Sequence, residues 1–306
     1  MSIVRPTPEK ILEAARALND GKLIGMPTET VYGIAANALN EAAVEKTFSL
    51  KGRPAENPLI VHVANVEQAQ SLVNEWPADA TTLASLFWPG PLTIVLPKTD
   101  RVPDIVTAGL HTVAVRMPRH PIALSLIQQA GVPVSAPSAN KFKSLSPTSA
   151  SMIDSLIAQG LEMILDGGPC EVGIESTVVD LTGDQPVVLR HGQITEEQIA
   201  DALHTTVSTG SAEERRSPGM YPRHYAPRTA VQIVDRLLPG HAGITLESPN
   251  GPNQIALSSN AKEYAKHLYQ SLFDLDQMRI GKIWIQSPPR TSEWQAVWDR
   301  LKKITG

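Results

Sequence analysis

Cysteine is nearly absent: Cys170 is the only one in the 306-residue chain. That excludes an internal disulfide framework and any cysteine-built zinc site, and it fits a reducing, cytoplasmic setting. Aromatic residues are scarce at 5%, and the net charge is −4 with a pI near 6.1. A broad electrostatic and stacking grip on nucleic acid is therefore not expected, although a local cationic pocket is compatible with both numbers. No apolar run approaches the roughly 20 residues of a membrane span. The opening "MSIVRPTPEKILEAARAL" lacks the basic-then-apolar plan of a signal peptide. Gly-x-x-x-x-Gly-Lys-Ser/Thr, Gly-x-Gly-x-x-Gly after a strand, Gly-x-Ser-x-Gly and His-Glu-x-x-His are all missing. The common sequence machinery for nucleotides, serine hydrolysis and zinc proteolysis is not here.

What is present is an alternation of helix and strand periods. "TPEKILEAARALNDG" predicts a helix with Thr7 as N-cap, Pro8 in the first turn, an apolar face of Ile11, Leu12, Ala15 and Leu18, and Gly21 at its end. "KLIGM", "PLIVHV", "LTIVLP", "TVAVRMP", "VPVSAPSAN", "EMILDGG", "STVVDL" and "PVVLR" read as strands, separated by helical stretches that include "NEAAVEKTFSLKG" and "TSASMIDSLIAQG". About eight strands among six or seven helices predict an α/β domain with a large, twisted, mixed sheet and flanking helices. After Leu203 the composition changes: "STGSAEERRSPGMYPRHYAPRT" is rich in Ser, Gly, Pro and charge. The expected division is a first domain at 1–206, a linker at 207–228 and a small α/β domain at 229–306.

Polar clusters sit at the predicted strand ends. "PTETVYG" follows "LIGM", where α/β folds face a ligand crevice. Thr28 or Thr30 there serves either a ligand or a turn. "KGRPAENPLIVHV" sets Lys51 and Arg53 two residues apart before a strand; on an extended segment they share a side, as an anion clamp or a solvated loop. His62 lies inside that strand, a satisfied core residue or a ligand contact. Arg116 lies in the apolar strand "TVAVRMP" and needs an anionic partner, a structural carboxylate or a substrate's. "SAPSANKFKSLSPTS" crowds five serines, Asn140 and Thr148 after a buried strand, as a polar turn or a phosphate cradle. In "GGPCEVGIESTVVDL", Ser176 and Thr177 open a strand, and nothing near Cys170 marks it as reactive.

Together, "KGRPAENPLIVHV", "SAPSAN" with "SPT", "PTETVYG", "GIEST" and "SPGMYPRHYAP" resemble the threonylcarbamoyl-AMP synthases, the YrdC-type domain in its two-domain form. The resemblance runs from about Pro6 to Pro227 and is loose beyond. It implies a YrdC-like sheet and a small Rossmann-like C-terminal domain. It also implies synthesis of L-threonylcarbamoyladenylate from L-threonine, bicarbonate or CO2, and ATP, with release of pyrophosphate. The product would pass to the tRNA threonylcarbamoyl transferase machinery, for N6-threonylcarbamoyladenosine in tRNA. The family's Lys-x-Arg and Ser-x-Asn signature falls on Lys51, Arg53, Ser138 and Asn140. The resemblance puts ATP on these four with Asn57, Thr112, Ser146, Arg190 and Tyr225. It puts L-threonine on Thr30, His62, Arg116, Ala136 (through its backbone) and Ser176. Tyr225, in the linker, would close over the nucleotide as part of a lid with Met220, Tyr221, Arg223 and His224. Mg2+ is expected with ATP, without an identifiable protein ligand. Stable tRNA binding by this chain is not expected.

Two rivals remain. A carbamoyl-transfer enzyme of hydrogenase maturation shares this kind of domain, but it needs zinc-finger cysteines and a second large catalytic domain. A non-catalytic RNA-binding module is disfavoured by the acidic net charge and the few aromatics.

Overall fold

The computed structural model describes residues 3–54, 56–210 and 224–306. Its larger sheet has eleven strands among the described residues. Their spatial order is Ile3–Val4, Met163–Leu165, Ile24–Met26, Gly33–Asn37, Val134–Ser135, Ile60–His62, Thr112–Arg116, Leu92–Pro97, Thr177–Asp180, Val187–Arg190 and Ser208–Thr209. Parallel and antiparallel pairs alternate irregularly, so the sheet is mixed as expected. The eight strands read from the sequence are all present. The three additional ones are Ile3–Val4, Gly33–Asn37 and Ser208–Thr209. Two of these have only two residues each. The third, "GIAAN", is small-residue sequence with weak strand preference, held by antiparallel partners on both sides. Ser208–Thr209 pairs with Val187–Val188, so the large sheet reaches into the stretch expected as linker.

Local sequence explains the helix ends. Thr7 accepts from the Lys10 N–H at the start of helix Pro8–Asn19. Helix Glu41–Lys51 is capped by Asn40 and ended by Gly52 in the left-handed region, φ 60°. Lys51 is thus the last helical residue, and Arg53 lies beyond the turn. The extended spacing expected for this pair is corrected: they do not share a strand face. The helix expected over "TSASMIDSLIAQG" is also broken, into a 3-10 turn at Ala150–Met152 and a helix at Ser155–Gln159 capped by Asp154.

The C-terminal domain has four parallel strands, ordered Val231–Val234, Ile283–Gln286, Gly243–Thr245, Gln254–Ala256, with helices Ala261–Gln277 and Gln295–Thr305. Its core is continuous with the first domain: Tyr264, Leu268, Tyr269 and Leu301 belong to one buried apolar cluster with Val31, Val172, Ile174 and Tyr225. The contact is close enough that a Cβ on Gly173, whose φ is +76°, would lie 2.3 Å from the Lys266 carbonyl oxygen. Among the described residues no helix is long and apolar enough to cross a membrane.

Candidate active site

Loops and strand ends of the large sheet enclose a cavity lined by Thr30, His62, Arg116, Ala136 and Ser176, with Arg53, Ser138, Arg190 and Tyr225 around them. All five residues expected on threonine are there. Of the nine expected on ATP, these last four line it, while Lys51, Asn57, Thr112, Asn140 and Ser146 do not.

"PTETVYG" is held by its own threonines. Thr28 Oγ1 lies 2.6 Å from the Val31 carbonyl, to which it donates, and accepts from the Thr30 and Val31 N–H groups at 3.2 Å. The segment is stitched to "SAPSAN" by Ile34 N–H to Pro137 O (2.7 Å) and Ala139 N–H to Tyr32 O (2.8 Å). Arg116 Nη1 then donates to Thr30 Oγ1 at 3.0 Å and Nε to Gly90 O at 3.2 Å. Its Nη2 stands 2.7 Å from Glu29 Oε1, and both residues are buried. This ion pair lacks aligned hydrogen bonds: both Glu29 oxygens and Arg116 Nη2 have no partner of good geometry. The structural carboxylate for Arg116 is therefore Glu29, a residue the sequence did not single out.

Lys51 is buried and its ammonium turns to the loop after the strand Val134–Ser135. It donates to Ser138 O, to Asn140 O at 2.6 Å and to Asn140 Oδ1 at 3.3 Å. Asn140 Nδ2 in turn donates to Lys141 O and Ser144 O. The Lys-x-Arg and Ser-x-Asn signatures meet in space, with Lys51 organising the loop that presents Ser138 to the cavity. Burial and the neighbouring Arg53 guanidinium push the Lys51 pKa down. Arg53 Nη2 donates to Pro58 O at 2.9 Å, which braces the turn ahead of the strand Ile60–His62.

On the other side, Arg190 donates from Nε to Ser176 O at 2.9 Å and from Nη2 to Ser176 Oγ at 3.0 Å; Ser176 Oγ also lies 2.8 Å from Thr93 Oγ1. Ser146 donates to Glu175 Oε1 at 2.6 Å. Glu175 also lines the cavity. Burial alone would raise its carboxyl pKa, but Arg300 and Arg190 more than reverse this, to about 2. Burial, with Arg116 and Arg190 adding to it, lowers His62 to about 3, so its imidazole is neutral. His62 Nδ1, Asn57 Nδ2 and His224 Nδ1 are buried without a hydrogen-bond partner among the described residues. His62 and His224 belong to the cavity wall, where such groups await a ligand or water; Asn57 lies behind it.

Thr112 opens the strand that Arg116 closes and does not reach the cavity. Tyr225 is buried with a left-handed backbone, φ 59°, and its ring lies 4.0 Å from that of His224. Met220, Tyr221 and Arg223, expected in a lid, lie outside the described residues. Cys170 is buried, and burial pushes its thiol pKa up, away from thiolate chemistry. A larger cavity of about 370 Å³ lies between the domains, lined in part by Ile174, His191, Gln198 and Lys262. It contains none of the expected site residues.

The chain is similar to known proteins along nearly its whole length. The family described as "Telomere recombination" matches residues 16–192, and the family described as "Threonylcarbamoyl-AMP synthase, C-terminal domain" matches residues 194–306. The threonylcarbamoyl-AMP synthase of Pyrococcus abyssi is 40% identical, over 97% of this chain and 94% of its own. That of Bacillus subtilis is 38% identical, over 97% and 93%. Among solved structures, P. abyssi Sua5 complexed with L-threonine is 38% identical, with a TM-score of 0.88 over 98% of this chain and 95% of that one.

Proposed function

The chain belongs to the threonylcarbamoyl-AMP synthase family in its two-domain form and carries that synthase activity, and we propose that its substrates are L-threonine, bicarbonate (or CO2) and ATP. The observation that carries this reading is the cavity itself: a neutral imidazole whose buried Nδ1 has no hydrogen-bond partner, beside three guanidiniums, with hydroxyls at the strand ends. Arg116 holds the threonine carboxylate. Its Nε and Nη1 are engaged by Gly90 and Thr30 and its Nη2 stands against Glu29, so the fork is fixed in the cavity wall and offers its remaining N–H bonds to the carboxylate. His62 and Ser176 border the amine. Because His62 is neutral, it does not repel the threonine ammonium, and its unpartnered ring nitrogen can accept a hydrogen bond from the amine.

The freed nitrogen attacks the carbon of CO2, forming the N–C bond of a carbamate as the nitrogen gives up a proton. A carbamate oxygen then attacks the α-phosphorus. The bond from that phosphorus to the oxygen bridging to the β-phosphorus breaks, and pyrophosphate leaves. Arg53, Ser138 and Arg190 neutralise and position the phosphates, and no covalent enzyme intermediate is needed. Mg2+ would enter with ATP and would help neutralise the phosphate charge. Among the described residues no three His, Cys, Asp or Glu side chains cluster as a metal cage. The product serves tRNA modification through a separate transferase, and the scarcity of cysteine suits an ATP-containing, reducing cytoplasm.

Pyrophosphate release decides the reading. It should require ATP, L-threonine and bicarbonate together, with L-serine poorer by roughly 10- to 200-fold for the missing methyl. Equal release without threonine would overturn it.

A further inference from the structure

Arg300 sits on the C-terminal helix Gln295–Thr305 and is wholly buried, 0% exposed. It reaches into the first domain. Nε donates to Glu175 Oε2 at 2.8 Å, Nη2 to the Glu175 main-chain oxygen at 3.2 Å, and Nη1 to the His191 main-chain oxygen at 2.9 Å. Nη1 also meets the Asp299 carboxylate, which is steadied by Lys303 at 2.8 Å. The guanidinium carbon lies 5.3 Å from the centroid of the Tyr225 ring. Glu175 immediately precedes Ser176, and His191 immediately follows Arg190. Ser176 and Arg190 both line the cavity and are bonded to each other. One side chain of the second domain therefore ties together the two segments that present them. The Glu175 carboxylate passes the constraint on: it accepts from Ser146 at 2.6 Å and, through Oε2, from Tyr269 of helix Ala261–Gln277 at 3.1 Å.

Joining the domains does not by itself call for an arginine. Apolar side chains already run across the boundary in one buried cluster, and a buried ion pair is weak support for stability compared with apolar packing. What the planar fork adds is geometry, because it fits a carboxylate and two carbonyls at fixed angles. We propose that Arg300 is a positioning residue of the synthase reaction, so that the C-terminal domain completes an active site whose substrate contacts all lie outside it. The proposal rests on the reading of the cavity as the site for threonine and ATP.

The test uses the full chain carrying Arg300→Met or Arg300→Lys, with KM and kcat measured separately for threonine and ATP by pyrophosphate release. Removal of charge-assisted bonds to both segments should raise at least one KM by about 10- to 100-fold. Arg300→Lys keeps the charge but not the fork, and should recover part of that loss. The pH profile supplies a reading that a mere fastener would not change. Glu175 faces Arg300 on the last helix, Arg190 at the end of strand Val187–Arg190, Tyr269, and His224 and Tyr225, while Asp299, Lys303 and His191 surround Arg300 itself. Without Arg300, burial is opposed chiefly by Arg190 and Ser146, so the Glu175 carboxyl should rise and activity should fall at a higher pH on acidification than in wild type. A folded Arg300→Met protein with wild-type KM values and pH profile would overturn the inference. If Arg300→Met does not fold, Arg300→Lys decides alone: unchanged KM values reject the positioning role. Failure of the wild type itself to couple threonine to pyrophosphate release would reject the reading of the cavity instead.

Discussion

Arg116 combines a structural ion pair with a place in the wall of the candidate site. The ion pair with Glu29 is buried on both sides, so neither charge has water to fall back on. Arg116→Ala should therefore do more than weaken threonine. It leaves Glu29 uncompensated and should lower unfolding stability by about 3–5 kcal/mol. Adding Glu29→Gln to the same chain should restore part of that loss by removing the stranded charge. Urea unfolding of the single and double variants measures both, and equal stability of the two would show that Glu29 is not the stranded partner. Threonine affinity should stay poor in the double variant, because the arginine fork is still missing.

At the scale of elements, the site depends on how tightly chain segments approach. Gly192 follows His191 directly. A Cβ there would lie 2.3 Å from the Thr177 nitrogen, 2.6 Å from the Ser176 carbonyl carbon and 2.8 Å from the Glu175 oxygen. All three are backbone atoms, so no side-chain rotation can relieve the contact. Gly192→Ala should push the start of strand Thr177–Asp180 away from Arg190, at a stability cost of about 1–3 kcal/mol, with a raised KM for threonine. Thermal unfolding and steady-state kinetics test the two effects separately, and a variant unchanged in both would mean the segments are free to part. The same logic explains Gly52: its left-handed turn ends a helix at Lys51, so the lysine is aimed at the Ser138–Asn140 loop while Arg53 is released to the cavity.

For the whole molecule, the buried histidines predict sensitivity to acid. His62 and His224 both have their pKa lowered to about 3, first by burial; for His62 Arg116 adds to it, and for His224 burial prevails over a contrary pull from Glu175, with Arg53 and Lys51 adding to the lowering. The unfolded chain binds protons on both near pH 6.5, whereas the folded chain does not. Their contribution is therefore intact above that pH and is lost as pH falls toward 3, by about 2 kcal/mol for each histidine at pH 5. Glu175, held at about 2, acts in the same direction below the ordinary carboxylate range. Denaturant midpoints at pH 8 and pH 5 should differ accordingly, and His62→Gln should flatten the dependence. A slope unchanged by that substitution would mean that His62 does not stay neutral in the fold.

The alternation of periods was enough to read the eight main strands, the mixed sheet and the small second domain, because burial on a helix or strand face leaves a local repeat. Long motifs at strand ends were enough to identify the family and to find Thr30, His62, Arg116, Ala136 and Ser176, which the structure gathers around one cavity. Strand Gly33–Asn37 escaped that reading, since its small residues carry no strand period and its partners hold it in place. Glu29, Glu175, Tyr269 and Arg300 escaped it as well. The bond from Arg300 to Glu175 spans 125 positions in the chain and that from Tyr269 spans 94. No periodicity or motif spacing records contacts at such separations. Only the folded chain, by closing those loops and excluding water, decides which buried charge meets which.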